Sequence, residues 1–325
     1  MSQASHLQRE WPTGQQEAYI KELPIWKNPI KLEPLPGGLQ NRNYVATDGG
    51  TKYVVRVASD LLHIGGVLSS TNAAMETASE AGVSPKLVYQ EPYLSAVDFI
   101  YGRNLTIDDF KDPKHVEGSV ERIKAFQAAS DRVHRPMTYF DPFVSCRQSV
   151  WSAEQLGVKL IGEYKPLLKI VDRLETHFGV FKPVATHCDL AYVNIMLGDD
   201  GRYWLIDWDL AGFGPPDWDI AELAGYSYTS DEIDRHFVKC FFGELAPEEF
   251  ERRLFRHRAY KMTSLIRVIY LLLILDARLG FVLSGDELKA SMAENFAEVG
   301  GDYMDFVRTH AKFFEGMWKT YGDAY

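Results

Sequence analysis

Cysteine is scarce in this chain: three in 325 residues, Cys146, Cys188 and Cys240, with no close-spaced pair among them. That excludes a disulfide framework and a Cys-rich metal centre. The expectation is three free thiols in a reducing, cytoplasmic setting. Long apolar runs are missing as well. The longest, Val268 to Leu275, is bounded by Arg267 and Asp276 and is too short to cross a bilayer, so no membrane partner is expected. The first twenty residues are polar and include Pro12 and Gly14, unlike a secretory signal. Basic residues are outnumbered, 35 Lys and Arg against 45 Asp and Glu, for a net charge of −10. This argues against nucleic acid as a partner and is compatible with a cationic small molecule. There is no internal repeat and no low-complexity tract. What remains is ordinary globular composition, 46% apolar and 25% charged, at a length that accommodates roughly two domains.

The most informative stretch runs from His187 to Glu222. It opens with His187-Cys188-Asp189-Leu190, and Asn194 follows Asp189 by five positions. That is the spacing of the protein-kinase catalytic loop, H-R-D-L-x-x-x-N, with Cys188 in place of the Arg. Two apolar runs, Ile195-Met196-Leu197 and Tyr203-Trp204-Leu205-Ile206, flank a turn at Gly198 to Gly201 and end on Asp207. The pattern predicts a short hairpin with a catalytic loop at one end and a metal-binding Asp at the other. Phosphoryl transfer needs a carboxylate to take the proton of the attacking hydroxyl, and oxygen ligands to hold Mg²⁺ against the nucleotide phosphates. Asp189 suits the first role; Asn194 and Asp207 suit the second. Taken singly, Asp189 and Asp207 read as loop caps and His187 as a packed histidine. The ordered set, with strands between, points to chemistry. Three adjacent residues make a poor zinc site, because structural ligands are usually set further apart.

Asp207-Trp208-Asp209 stands where protein kinases have Asp-Phe-Gly, and Pro216-Asp217-Trp218-Asp219-Ile220-Ala221-Glu222 follows. With the catalytic-loop spacing, this resembles the choline/ethanolamine kinase family within the aminoglycoside-phosphotransferase-like group, from about Pro36 to the last helix. The resemblance implies an α+β, two-lobed protein-kinase-like fold. A small N-terminal antiparallel sheet lobe, residues 1–101, would bind nucleotide. A larger, mainly helical lobe, residues 102–325, would carry catalysis and the acceptor. It also implies ATP and Mg²⁺ as cofactors, with His187, Asp189 and Asn194 forming the catalytic loop.

In the first lobe, Asp48-Gly49-Gly50 is a strong hairpin signal. Gly37-Gly38 alone reads as an ordinary turn; its likeness to the family's G-G-x-x-N segment makes Gly37, Gly38 and Asn41 candidates for covering nucleotide phosphates. On the strand Tyr53 to Val57, Arg56 takes the place of the phosphate-binding Lys of protein kinases. The helix Glu that usually pairs with it is replaced by Thr71. Glu76 offers a substitute from the same helix, or is a solvated surface residue. Tyr101-Gly102-Arg103 is expected to be the hinge, with adenine held by backbone groups of Asp98, Phe99 and Ile100. The loop Phe140-Asp141-Pro142-Phe143 has no reading.

After the central stretch, helices are expected over Ile233–Phe242, Glu248–Leu279 and Tyr303–Trp318, broken at Gly280 and Gly285. A quaternary ammonium donates no hydrogen bond and is best met by ring faces. The resemblance makes Tyr226, Tyr270, Tyr303 and Phe306 the candidate cage, against the plainer alternative that aromatics at helical spacing are core. Asp209, two residues past Asp207, is a further candidate for metal. Asp217 and Asp219 are expected to cap the next helix and brace the catalytic loop. The expected activity is transfer of phosphate from ATP to the hydroxyl of choline or ethanolamine. Other small hydroxylated acceptors, such as an aminoglycoside, a sugar or thiamine, are the neighbouring alternative, and a non-catalytic nucleotide-binding protein the more distant one.

Overall fold

Alternating apolar and polar residues build the first layer. The computed structural model describes Leu7 and residues 11–36, 41–59, 65–159, 161–277 and 303–325. A short helix α1 (Thr13–Lys21) precedes strands β1 (Lys31–Leu35), β2 (Arg42–Asp48) and β3 (Thr51–Val57). Helix α2 (Leu68–Glu80) follows, then β4 (Leu87–Glu91) and β5 (Leu94–Asp98). The five strands form an antiparallel sheet in the order β1-β2-β3-β5-β4. Gly49 and Gly50 make the two-residue turn between β2 and β3 with φ of 54° and 95°, a left-handed pair that fits the twist of the flanking strands. Register sets Arg56 opposite Asn43 on one side and Ser95 on the other.

Strand β6 (Gly102–Asn104) starts the second part. A Cβ at Gly102 would lie 2.3 Å from the Leu197 carbonyl oxygen, so only glycine lets the connecting segment pass there. Helices α3 (Pro113–Ala128), α4 (Pro142–Gln155), α5 (Ile161–Tyr164) and α6 (Leu167–Glu175) lead to β7 (Val184–Thr186). Then come β8 (Ile195–Gly198), β9 (Tyr203–Leu205) and β10 (Gly212–Gly214), the first two being the expected hairpin. These short strands form two small sheets, β6-β8-β9 and β7-β10. Helices α7 (Trp218–Tyr226), α8 (Asp231–Phe242), α9 (Pro247–Ala277) and α10 (Tyr303–Tyr321) complete the described chain. The expected breaks at Gly280 and Gly285 lie outside the described residues.

The segment without a reading proves to be a helix start. Asp141 is the N-cap of α4, its carboxylate accepting the N–H groups of Phe143 and Val144 at 2.9 Å, with Pro142 at the first helical position. An Asp-Pro pair is a helix-entry signal in its own right.

Apolar side chains gather in two principal cores. One lies against the five-stranded sheet and holds Leu7, Ile20, Tyr44, Val55, Val57 and Leu94. The larger one fills the helical part. Helix α2 lies between β3 and β4 in sequence, yet its Ala74, Met75 and Ala78 belong to the larger core. The arrangement is the α+β, two-lobed kinase-like one expected: a small antiparallel sheet joined to a mainly helical part.

Candidate active site

The loop after β7 is held from behind by α7. All nine residues of α7 are buried, and its Asp219 and Glu222 lie three positions apart, hence on one face. Asp219 accepts the backbone N–H of His187 at 3.0 Å and of Cys188 at 3.1 Å. Glu222 accepts that of Leu190 at 2.8 Å. Cys188 sits at φ 62°, a left-handed conformation that a side chain tolerates only when its surroundings impose it. Its thiol packs with Leu210 and Leu271, in a space for a small apolar group rather than for the Arg of the kinase motif. Asp219 thus braces the loop. Neither it nor Asp217 caps α7 through a side chain; Asp217 instead faces Arg256 at 3.3 Å.

Glu222 ends the central motif but carries no role in the sequence reading. Its second oxygen accepts from Arg267 Nη1 of α9 at 2.9 Å, with the side chains 0% and 1% exposed. Arg267 also reaches Ser145 Oγ at 3.1 Å and lies over the Phe140 ring. Burial pushes the Glu222 carboxyl up, and the guanidinium pulls it back. The available signal was an acidic residue three after Asp219, together with a lone Arg ahead of a long apolar run.

On this platform Asp189 is half-buried. Its Oδ1 accepts the Tyr226 hydroxyl at 2.9 Å, and no described residue hydrogen-bonds its Oδ2. Asn194 donates its amide to the Asp189 carbonyl at 2.8 Å, which leaves its own side-chain oxygen for another partner. His187, grouped with the catalytic residues by its motif, is fully buried. Its Nε2 meets the Ile206 carbonyl at 2.9 Å and its ring packs on Trp208. It positions the loop and does not face the cleft.

Asp207 follows β9 at φ 65°, with 40% of its side-chain surface open to solvent. Partial withdrawal from water, with Asp209 and Asp189 nearby, raises its carboxyl to about 7 against the pull of Arg56. Arg56 Nη2 is 3.7 Å from Asp207 and pairs directly with Asp209 Oδ1. The other oxygen of Asp209 accepts Asn41 Nδ2 at 2.7 Å, and Asn41 Oδ1 takes the N–H of Ser59 at 3.0 Å. Asp209 and Asn41 are therefore turned toward each other, with Arg56 and the Ser59 N–H as their other partners. In this arrangement Asp209 orients Arg56 and Asn41 orients Asp209, a use beside the metal and phosphate contacts expected of them.

The absent helix Glu is resolved by the same contact. Thr71 donates to the backbone carbonyl of Asp209 at 3.2 Å, so α2 supports the residue that pairs with Arg56. Glu76 pairs with Arg135 at 2.9 Å, half-exposed, and is not the substitute. Asp209→Asn is expected to weaken nucleotide binding at least several-fold by freeing Arg56, whereas Glu76→Ala leaves it unchanged, as calorimetric titration of the two variants would measure. Equal effects from the two would remove Asp209 from this role.

At the hinge, the N–H groups of Asp98 and Phe99 are spent on the carbonyls of Lys86 at 2.9 Å and Lys52 at 3.3 Å. Of the three residues expected to meet adenine, Ile100 is the one whose N–H bonds no described residue. Gly37 and Gly38 lie outside the described residues.

The three aromatic candidates whose side chains are described do not converge. Tyr226 touches Asp189. Tyr270 is fully buried, its hydroxyl donating to the Tyr164 carbonyl at 2.5 Å, so it is a core residue of α9 and not a cage wall. Phe306 is buried against the His310 ring, centroids 4.2 Å apart, and His310 in turn meets Tyr226 at 5.8 Å. It stands behind the site rather than in it. The Tyr303 side chain lies outside what is described.

Solved structures share this architecture. A choline/ethanolamine kinase family protein from Mesorhizobium loti matches with a TM-score of 0.66 at 18% identity over 94% of each chain. A choline kinase from Cryptosporidium parvum matches at 0.69 and 14%, over 91% of this chain and 90% of that one. A spectinomycin phosphotransferase in complex with ADP and spectinomycin matches at 0.55 and 14%, over 93% and 99%. At such identities the likeness speaks for the fold. A family model described as phosphotransferase enzyme family, APH, matches residues 31–255, a span that is more than half the chain and takes in the sheet, Arg56, the loop of Asp189 and the whole of α7. The chain belongs to the phosphotransferase enzyme family.

Proposed function

We propose that the chain transfers the γ-phosphoryl group of ATP to the hydroxyl of a small amino alcohol, choline or ethanolamine. Residues 1–101 would serve as the nucleotide lobe and 102–325 as the catalytic and acceptor lobe. The observation that carries this reading is the state of Asp189. One oxygen is fixed by Tyr226 and the other is unengaged, on a loop whose backbone is bound to buried carboxylates. That is the preparation a general base needs, since proximity and orientation supply much of the rate.

Asp189 Oδ2 accepts the hydroxyl proton as the acceptor oxygen bonds to the γ-phosphorus. The bond to the bridging oxygen breaks and ADP leaves. Arg56, oriented by Asp209, meets the phosphates, and Ile100 offers adenine a backbone donor. The free oxygen of Asn194 and the carboxylate of Asp207 are hard donors of the kind Mg²⁺ takes. They would hold the ion, whose contribution when bound is to offset phosphate charge. Tyr226, beside the base, presents a ring to the acceptor's ammonium group.

A larger, polyhydroxylated acceptor is the second reading. It is favoured by the withdrawal of Tyr270 from the cage and by the fold match to a spectinomycin phosphotransferase. A coupled ADP-release assay with choline, ethanolamine, thiamine and spectinomycin separates the two. Fastest release with choline or ethanolamine is expected. Release with spectinomycin alone overturns the amino-alcohol assignment, and ATP binding without release for any acceptor overturns phosphotransfer.

A further inference from the structure

Away from the Asp189 cleft, α3 and α8 pack side by side, with Lys124 Nζ of α3 on the Phe241 carbonyl of α8 at 3.0 Å. Just along this seam stand Glu117 of α3 and His236 and Cys240 of α8. The last two are four residues apart and so share a face. Glu117 is exposed and the other two are half-buried. His236 Nε2 lies 3.2 Å from Glu117 Oε1, and the three donor atoms all fall within 4.8 Å of one another. Among the described residues this is the only such grouping of three His, Cys, Asp or Glu.

We propose that Glu117, His236 and Cys240 bind a divalent transition-metal ion of the zinc class, bridging α3 and α8. The donors are one sulfur, one imidazole nitrogen and one carboxylate oxygen. That set suits Zn²⁺ and is wrong for Mg²⁺, which prefers oxygen alone. The site is thus chemically distinct from the one assigned to the nucleotide's metal. Two ligands about 2.0 Å from a tetrahedral ion lie about 3.3 Å apart, close to the separation His236 and Glu117 already have. The Cys240 sulfur lies within 4.8 Å of both of the other donor atoms, on a half-buried side chain near the end of α8. Ligation releases the thiol proton to solvent and leaves the imidazole proton on Nδ1. The resulting thiolate and the Glu117 carboxylate together balance the charge of the ion. With three protein ligands and an open rim, the fourth position falls to water.

The test uses the full chain, stripped with EDTA and titrated with Co²⁺. Cys146 and Cys188 are fully buried, so a thiolate-to-cobalt charge-transfer band in the near ultraviolet reports on Cys240. The wild type should develop that band together with tetrahedral d–d absorption, and Zn²⁺ should displace both. Cys240→Ser should abolish the band, while His236→Ala and Glu117→Gln should each weaken Co²⁺ binding by about tenfold or more. The wild-type melting temperature should rise with Zn²⁺ even in the presence of saturating Mg²⁺, a readout that depends on no variant. Absence of the band in the wild type overturns the proposal. So does undiminished binding in both His236→Ala and Glu117→Gln, which would reduce the cluster to a single reactive thiol.

Discussion

Asp189→Asn should lower kcat by ~10²–10⁴-fold, the scale of losing a general base. The amide is nearly isosteric, and its oxygen can still accept the Tyr226 hydroxyl that now meets Oδ1 at 2.9 Å. What it cannot do is take a proton from the acceptor. The KM for ATP should stay close to that of the wild type, because Arg56, Asp209 and Asn41 are held by contacts of their own. Melting should also be unchanged, since Asp189 is only half-buried. Steady-state ADP release with the best acceptor measures all of this. A variant that retains near-normal turnover would remove Asp189 from the mechanism.

Arg267→Met should cost about 3–5 kcal/mol of stability, the usual result of leaving one member of a buried ion pair behind. Glu222 would then be a fully buried carboxylate without a counter-charge, still holding the N–H of Leu190. Adding Glu222→Gln should recover most of the loss, as the amide keeps an acceptor for Leu190 and carries no charge. Burial raises the Glu222 carboxyl, and in Arg267→Met the guanidinium no longer opposes that rise, leaving only the Leu190 N–H against it. The folded variant therefore holds a proton more tightly than its unfolded chain, where the pKa is about 4.3. Its stability should rise as pH falls from the raised folded value toward the unfolded one, and the deficit against wild type should be largest above the folded value. Urea unfolding of the single and double variants at pH 8 and pH 5.5 reads both effects. A loss under about 1 kcal/mol in the single variant, on the scale of an exposed pair, would show that the pair supports little.

The readable parts of the sequence were those where chemistry is local. Hairpin residues Gly49 and Gly50, the strand pair around Gly198 to Gly201, and the order Asp189, Asn194, Asp207 all depend on spacing along the chain, and spacing survives in one dimension. The pairing of Arg56 was not readable in that way. Its partner Asp209 is distant in sequence, and local reasoning looked for a helix Glu at Thr71 or Glu76 because that is where kinases keep one. Asn41 and Asp209 looked like free ligands because sequence shows a polar atom without showing what already occupies it. Tyr270 failed for a related reason. An aromatic on an apolar helix has two sides to face, and only packing decides between core and cleft. The helix start at Asp141-Pro142 was legible by its cap and was overlooked.

The segment His187 to Leu190 has no regular secondary structure, yet three of its amide hydrogens end on Asp219 and Glu222, which are 1% and 0% exposed. In a hydrogen–deuterium exchange experiment these amides should behave as if they belonged to a central helix, opening only when the whole helical lobe does. Neighbouring loops would label within the first time points while this one stayed dark. Catalytic competence and global integrity would then be the same event for this protein. During slow heating, residual turnover would count folded molecules, with no population of half-open ones that bind acceptor and fail to use it.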